Sequence, residues 1–164
     1  MPGLDNGDIF QRMNDILALP AAECAERSGP DEGALIAVLS AAEDLRERLE
    51  DALVGVGLSI SKFDAMEQLI QAGEPVTLGA LAGRLHCVRS NVTQLVDRLE
   101  ADGLVQRGSC VEDRRAIRAR LTPHGIERHA AGLEAIRAVQ KDVARRLEPA
   151  DRARLIKLLS TLAG

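Results

Sequence analysis

The sequence predicts a mainly α-helical fold that carries a small β-hairpin wing. Apolar residues recur at steps of three and four along most of the chain, which is the spacing of one buried helix face. The stretch 116–121 alternates apolar and polar residues instead, as a strand does, and 104–107 is its predicted partner strand. The order helix, helix, turn, helix, strand, loop and strand describes a winged helix-turn-helix core between N- and C-terminal dimerisation helices.

Four segments are expected along the chain. They are an N-terminal extension with a short helix (1–32), a dimerisation helix (33–57), the winged helix-turn-helix domain (58–121) and C-terminal dimerisation helices (122–164). The helices outside the core carry apolar stripes, which must be buried against something. They pack either on the core of the same chain or on a second copy of the chain.

Capping residues predict where the core helices begin and end. Ser61 with Asp64 resembles a capping box for the first core helix, and Thr77 is the expected cap of the second. Gly103 is expected to end the third core helix in a left-handed conformation. Thr122, followed by a proline at the first helical position, opens the C-terminal helices.

The composition excludes several classes of protein. Hydrophobic residues make up 46% of the chain and charged residues 28%, which is typical of a globular protein rather than a disordered one. No apolar run is long enough to span a membrane, and the acidic N-terminus does not resemble a secretory signal. Cys24, Cys87 and Cys110 are too scattered for a disulfide framework, so we expect a reducing, cytoplasmic location.

Charge is distributed unevenly along the chain, whose formal net charge is −4. The first 60 residues hold four basic and twelve acidic side chains, whereas the segment 84–120 holds eight arginines and five acidic residues. A locally basic segment indicates an anionic partner for that segment, with a solvated surface as the alternative. Because the chain has no Trp or Tyr and only two Phe, it lacks the stacking platforms of single-strand binders.

The predicted third core helix, at 88–102, has one apolar and one polar face. The apolar stripe consists of Val92, Leu95, Val96 and Leu99. The first two turns of the opposite face present Ser90, Asn91, Thr93 and Gln94. Asn and Gln can pair with adenine, while Ser and Thr can contact bases or phosphates, so this face suits the major groove of DNA.

Three further residues complete the predicted DNA-contacting set of the core. Arg89 and Arg98 lie where phosphates would run, and Thr77 begins the preceding helix. Two observations favour an ordinary solvated face instead. Arg98 can pair with Asp102 one helical turn later, and Asp97 puts a negative charge on the outward face.

The loop between the two predicted strands contains Glu112-Asp113-Arg114-Arg115. Protruding arginines suit the narrow, electronegative minor groove of A·T-rich DNA. Asp113 can brace one of these arginines through a charge-assisted hydrogen bond. The alternative is a solvated hairpin with a local ion pair.

Two sequence motifs resemble the MarR family of dimeric winged-helix repressors. They are VTQLVDRLEADGLVQR at 92–107 and EDRRAIRARLTPHG at 112–125, in the order and spacing of that family, and the resemblance extends from about residue 35 to the end. It implies a homodimer with interlocking terminal helices on a pseudo-palindromic operator. The helix at 88–102 would enter the major groove, and Arg115, with Arg114, the minor groove. The resemblance also implies that a small ligand or an oxidant releases the DNA.

One position departs from the family pattern. Members often carry Ser or Thr as the cap of the recognition helix, whereas the matching residue here is Val88, which cannot cap. Either the helix begins later, at Ser90, or another group satisfies the free amides. Cys87 and Cys110 are candidate redox sensors, because a thiolate is favoured near a helix N-terminus and near arginine. The alternative for Cys87 is a small buried apolar residue.

Other functions lack a supporting pattern. We find no phosphate-binding loop and no catalytic motif, so we expect no enzyme and no cofactor. His86-Cys87 and the pair His124 and His129, expected on a helix surface, lack zinc-site spacing, so we expect no metal. A winged helix that binds another protein without DNA specificity is the remaining alternative. The polar outward face and the wing arginines favour DNA over that alternative.

Overall fold

The computed structural model describes residues 30–109 and 117–163 and divides into one unit ending at Arg48 and one beginning at Leu49. The predicted short helix of the N-terminal extension and the predicted tip of the wing lie outside the described residues. So do the following residues predicted as functional: Cys110, Asp113, Arg114 and Arg115. No helix of the described ranges has the length and apolar character needed to cross a membrane.

Six helices and three strands make up the described chain. In order they are α1 (Pro30–Val54), α2 (Ile60–Ala72), β1 (Val76–Thr77), α3 (Leu78–Arg84), α4 (Arg89–Ala101), β2 (Val105–Ser109), β3 (Ile117–Leu121), α5 (Pro123–Arg145) and α6 (Pro149–Ala163). The predicted mainly helical fold with a small sheet is confirmed, and both predicted strands agree with the observed ones to within two residues. The boundaries of the four expected segments stay predictions.

The first core helix, α2, is capped by a different serine from the one predicted. The hydroxyl of Ser59 accepts a hydrogen bond from the Lys62 amide at 3.3 Å, with Ser59 in an extended conformation. Glu50, near the end of α1, accepts from the Ile60 amide at 2.9 Å. The capping box of Ser61 and Asp64 was therefore wrong, because Ser61 already lies inside the first turn of the helix.

The wing contains one strand more than the sequence predicted. Its sheet is antiparallel in the order β1-β3-β2. Ala119 of the central strand β3 pairs with Val76 of β1 on one side and with Arg107 of β2 on the other. The strand β1 is only two residues long, too short to show an alternating pattern. It ties the start of the helix-turn-helix to the base of the wing. Thr77 then caps α3 as predicted, accepting from the Ala80 amide at 3.2 Å.

The hydrophobic core lies between α2, α3, α4 and the sheet. Its fully buried large side chains are Leu53, Met66, Leu81, Val92, Val96 and Leu99. Three of the four predicted stripe residues of α4 are thus completely buried, while Leu95 packs at the edge. Gly103 ends the α4 region with a φ of 70°, as predicted for a left-handed stop.

Two glycines let α5 approach the core closely. A Cβ added at Gly132 would lie 2.9 Å from Phe63, and one added at Gly125 would collide with the Leu104 carbonyl. Thr122 caps α5 as predicted, since its hydroxyl accepts from the Gly125 amide at 2.9 Å. The first half of α5 is therefore seated against the winged helix-turn-helix.

One histidine of α5 is buried rather than on the surface as predicted. His129 is 6% exposed, whereas His124 is exposed. The His129 ring stacks on Phe63 at a centroid distance of 4.7 Å, and its Nε2 lies 2.7 Å from Glu67 Oε2. Hydrogen bonds to Glu67 from Gln71 and then from His129 lower the pKa of that carboxyl. Phe63 therefore belongs to the core.

Candidate nucleic-acid interface

The helix α4, which the sequence predicts as the recognition helix, begins without a side-chain cap. Its N-cap position is Val88, whose side chain makes no capping hydrogen bond and is 62% exposed. The helix begins at Arg89, so the later start at Ser90 that the sequence left open is wrong. The first hydrogen bond of the helix runs from the Asn91 amide to the Val88 carbonyl at 3.1 Å. The amides of Arg89 and Ser90 precede this bond. Such amides favour an anionic group such as a phosphate.

A tight turn precedes α4. His86 adopts a positive φ of 50°, and the Cys87 amide donates to the Ala82 carbonyl at 3.1 Å. Asn and His are among the side chains that tolerate this conformation better than most. The turn thus connects α3 to α4 within four residues of non-helical chain and leaves the first turn of α4 exposed.

The outward face of α4 contains most of the residues predicted from the sequence. Ser90, Asn91, Gln94, Arg89 and Arg98 are exposed. Together they form a polar surface opposite the buried apolar stripe. Hydrogen-bonding side chains and cations on one exposed helix face are what base edges and phosphates require.

Two of the predicted contact residues use their hydroxyls inside the protein. Thr93 is half-buried and donates its hydroxyl hydrogen to the Arg89 carbonyl at 3.0 Å. Thr77 is also half-buried, and its hydroxyl oxygen caps α3. Both residues therefore have a structural role, and their hydroxyls are less free to make other contacts than that of the exposed Ser90.

Two acidic residues at the C-terminal half of α4, Asp97 and the C-cap Asp102, are paired with cations. Asp102 lies 2.6 Å from Lys62 of α2, so it does not neutralise Arg98, which was the alternative considered from the sequence. Asp97 lies 2.5 Å from the guanidinium of Arg107 on β2. The negative charge that argued against DNA approach is therefore compensated.

Arg107 is a residue whose role the sequence analysis missed. Its Nη2 also donates to the Thr93 carbonyl at 3.1 Å, and its Nε lies 3.4 Å from Glu100 Oε2 in an ion-pair contact without hydrogen-bond geometry. Its backbone amide donates to Glu100 Oε1 at 3.1 Å. The signal present in the sequence was two carboxylates three residues apart on one helix, followed by an arginine just after the turn.

The arginines of β3 hold the base of the wing. Arg118 donates to the Pro75 carbonyl at 3.1 Å, and Arg120 donates to Gln106 Oε1 at 3.2 Å. Part of the positive charge of the segment 84–120 therefore serves the wing itself. On the exposed polar face of α4, the cations among the described residues are Arg89 and Arg98.

A groove of about 490 Å³ runs beside α4. It is lined by Ser61, Asp64, Leu85, Cys87, Asn91, Gln94, Leu95 and Arg98. Burial, followed by the charge of Glu67, raises the pKa of Asp64. Cys87 is half-buried at the wall of this groove, next to the residues predicted to contact DNA. Within the two described ranges, no three His, Cys, Asp or Glu side chains are grouped closely enough to hold a metal ion.

These features define a winged helix-turn-helix domain with an exposed polar recognition helix. Residues 58–117 of this domain match the model of the MarR family. The resemblance and the fold class predicted from the sequence are thereby confirmed. The curated relatives are named as regulators of transcription, a class without enzymatic activity, in agreement with the expectation from the sequence.

Individual proteins extend the similarity beyond the domain. A protein named as a transcriptional regulator of the hcr operon in Thauera aromatica is 33% identical over 97 residues, covering 59% of this chain and 58% of that protein. The chain thus spans less than two thirds of the length of this relative.

Two solved structures share the fold at low sequence identity. The organohalide-sensing regulator RdhR bound to 2,4-dichlorophenol has a TM-score of 0.69 at 22% identity, covering 84% of this chain and 81% of its own. The repressor CouR bound to a 23-mer DNA duplex has a TM-score of 0.66 at 24% identity, covering 79% and 91%.

Proposed function

We propose that the protein is a homodimeric, sequence-specific DNA-binding regulator of transcription. One observation carries the proposal: the first two turns of α4 expose hydrogen-bonding side chains and uncapped amides, and the opposite face is buried in the core through Val92, Val96 and Leu99. A winged helix-turn-helix inserts such a helix into the major groove with its first turns against the bases. The fold it shares with the transcriptional repressor CouR, whose structure contains a bound DNA duplex, supports the same arrangement.

The proposed contacts divide into base reading and backbone positioning. Asn91 and Gln94 read base edges, with adenine as the partner their amides fit best. Ser90, Arg89 and Arg98 contact phosphates together with the open amides of the helix start. Thr77 and Thr93 contribute at the margin of this surface, because their hydroxyls are already bonded inside the protein.

The wing completes the proposed interface. Arg115, with Arg114, enters the minor groove, and Asp113 braces one of them. This part of the proposal rests on the sequence and on the family motif alone. The described part of the wing supports it through the firm base that Arg118 and Arg120 give to the sheet.

The exposed apolar surface of α6 supports the proposed homodimer. The helix α6 exposes a row of large hydrophobic side chains, namely Leu155, Ile156, Leu158, Leu159 and Leu162. A contiguous exposed apolar face of this kind marks an interaction surface. Two copies related by a twofold axis would match a pseudo-palindromic operator.

We propose that the regulator is a cytoplasmic repressor released by a small organic ligand or by oxidation of Cys87 or Cys110. RdhR, which shares the fold, is described as organohalide-sensing and as bound to 2,4-dichlorophenol. Cys87 shares a groove with Asn91 and Gln94, so an oxygen added to its sulfur would alter the surface next to them. The alternative, a winged helix that binds only a protein, is disfavoured by the polar outward face of α4.

The first test is a titration of the protein with the DNA upstream of its own coding region. Gln94→Ala is compared with Gln140→Ala, since Gln140 is an exposed glutamine on α5. We expect Gln94→Ala to lower the preference for this DNA over bulk DNA by roughly tenfold to a hundredfold, which is the value of one bidentate base contact. The control should bind as the wild type does.

Equal affinity of the wild type for upstream and bulk DNA, with no effect of Gln94→Ala, would contradict sequence-specific binding to this DNA. Repeating the titration under oxidising conditions, with Cys87→Ser and Cys110→Ser, tests the release step separately.

A further inference from the structure

We propose that Arg107 is a positioning residue for DNA binding, which compensates two carboxylates on the recognition helix and fixes that helix to the wing. The inference rests on the proposed function and adds to it a residue that touches no DNA. Arg107 lies on β2 and has a half-buried side chain, whereas its partners Asp97 and Glu100 lie on α4.

The position of Asp97 makes compensation necessary. At 100° per residue, Asp97 falls in the same sector of α4 as Ser90 and Gln94, which are proposed to face DNA. Its side chain is 55% exposed, and that of Glu100 is 43% exposed. Without a cation, two carboxylates would stand beside the phosphates, and like charges placed together at an interface weaken binding.

The contacts of Arg107 are arranged so that one side chain serves both carboxylates. Its Nη2 lies 2.5 Å from Asp97, its Nε lies 3.4 Å from Glu100, and its Nη2 also donates to the Thr93 carbonyl at 3.1 Å. These partners lie along successive turns of α4. A guanidinium has donors at fixed, separate directions that reach all of them, whereas the ammonium of lysine is a single point charge.

The same contacts join two elements that must act together on DNA. The Arg107 backbone amide also donates to Glu100 at 3.1 Å, so main chain and side chain both tie β2 to α4. The wing proposed for the minor groove is thereby held at a defined position relative to the helix proposed for the major groove. Arg107 sits where the two DNA-contacting elements meet.

The test separates compensation of charge from a merely structural role. Affinity for the upstream DNA is measured at low and high salt for the wild type, Arg107→Gln, Asp97→Asn and the double variant. Arg137→Gln is the control, because Arg137 is an exposed arginine on α5 that is also paired with a carboxylate, Glu134. We expect Arg107→Gln to weaken binding about tenfold at low salt and less at high salt, because salt screens the repulsion.

Rescue is the decisive measurement. Asp97→Asn added to Arg107→Gln should restore most of the lost affinity, and the control should not change it. A loss that is equal at all salt concentrations and is not restored by Asp97→Asn would overturn the proposal, because it indicates a structural role alone. Absence of any loss would overturn it as well.

A second variant covers the case in which Arg107→Gln does not fold. Arg107→Lys keeps the positive charge but loses the separate donor directions that fix α4 to the wing, so its low-salt affinity should fall only about threefold. A tenfold loss in a folded Arg107→Lys variant would contradict compensation of charge. If the proposed function itself is wrong, the wild type will show no preference for the upstream DNA. That result differs from every outcome that concerns Arg107 alone.

Discussion

At the scale of single residues, the buried His129 is the clearest test of how α5 is held on the core. It stacks on Phe63 and contacts Glu67, and both partners belong to α2. We expect His129→Ala to lower the free energy of unfolding by about 2 kcal/mol, because it leaves a cavity and removes a hydrogen bond to a carboxylate. Urea unfolding at neutral pH measures this difference.

The same helix offers a matched control for that substitution. His124 is exposed in the first turn of α5, so His124→Ala should change the stability by no more than about 0.5 kcal/mol. Equal effects of the two substitutions would contradict the buried position of His129. The sequence contained a signal that distinguishes these histidines, because His129 lies four residues before Leu133 and seven before Ile136, on the same face of the helix, whereas His124 does not.

At the scale of elements, the sequence predicted what local rules determine. The buried stripe of α4 and the cap at Thr77 follow from spacing within a few residues. The strand β1 was missed because it exists only through pairing with Ala119, far along the chain. Likewise Ser59 and Ser61 are chemically equal candidates for a cap, and only the backbone conformation and the help of Glu50 from α1 decide between them.

The uncapped start of α4 gives a prediction for this element. Replacing Val88 by Thr places a hydroxyl where the first amides of the helix have no side-chain partner. We expect Val88→Thr to raise the free energy of unfolding by about 1 kcal/mol, measured by urea unfolding without DNA. Val54→Thr, at an equally exposed valine at the end of α1, should not stabilise the protein. An unchanged stability of Val88→Thr would mean that another group already satisfies these amides.

At the scale of the whole molecule, an apolar stripe does not reveal what covers it. The stripes of α5 and α6 look alike in the sequence, yet Leu133 and Ile136 of α5 pack against the core of the winged helix-turn-helix. Leu158 and Leu162 of α6 are instead 55% and 72% exposed. Whether an apolar stripe packs on its own chain or on a second copy depends on long-range packing. The local periodicity of the sequence does not predict that packing.

The exposed stripe of α6 therefore decides whether the proposed dimer exists. We expect Leu158→Asp with Leu162→Asp to convert a dimer into a monomer, because each buried carboxylate would lose its hydration without a partner. Light scattering coupled to size-exclusion chromatography measures the mass of the species. Lys157→Asp, an exposed change on the same helix, should leave the dimer intact. The monomer should also lose affinity for a palindromic duplex far more than for a single half-site, since only the former engages both recognition helices. A double variant that still runs as a dimer would show that a different surface joins the two copies.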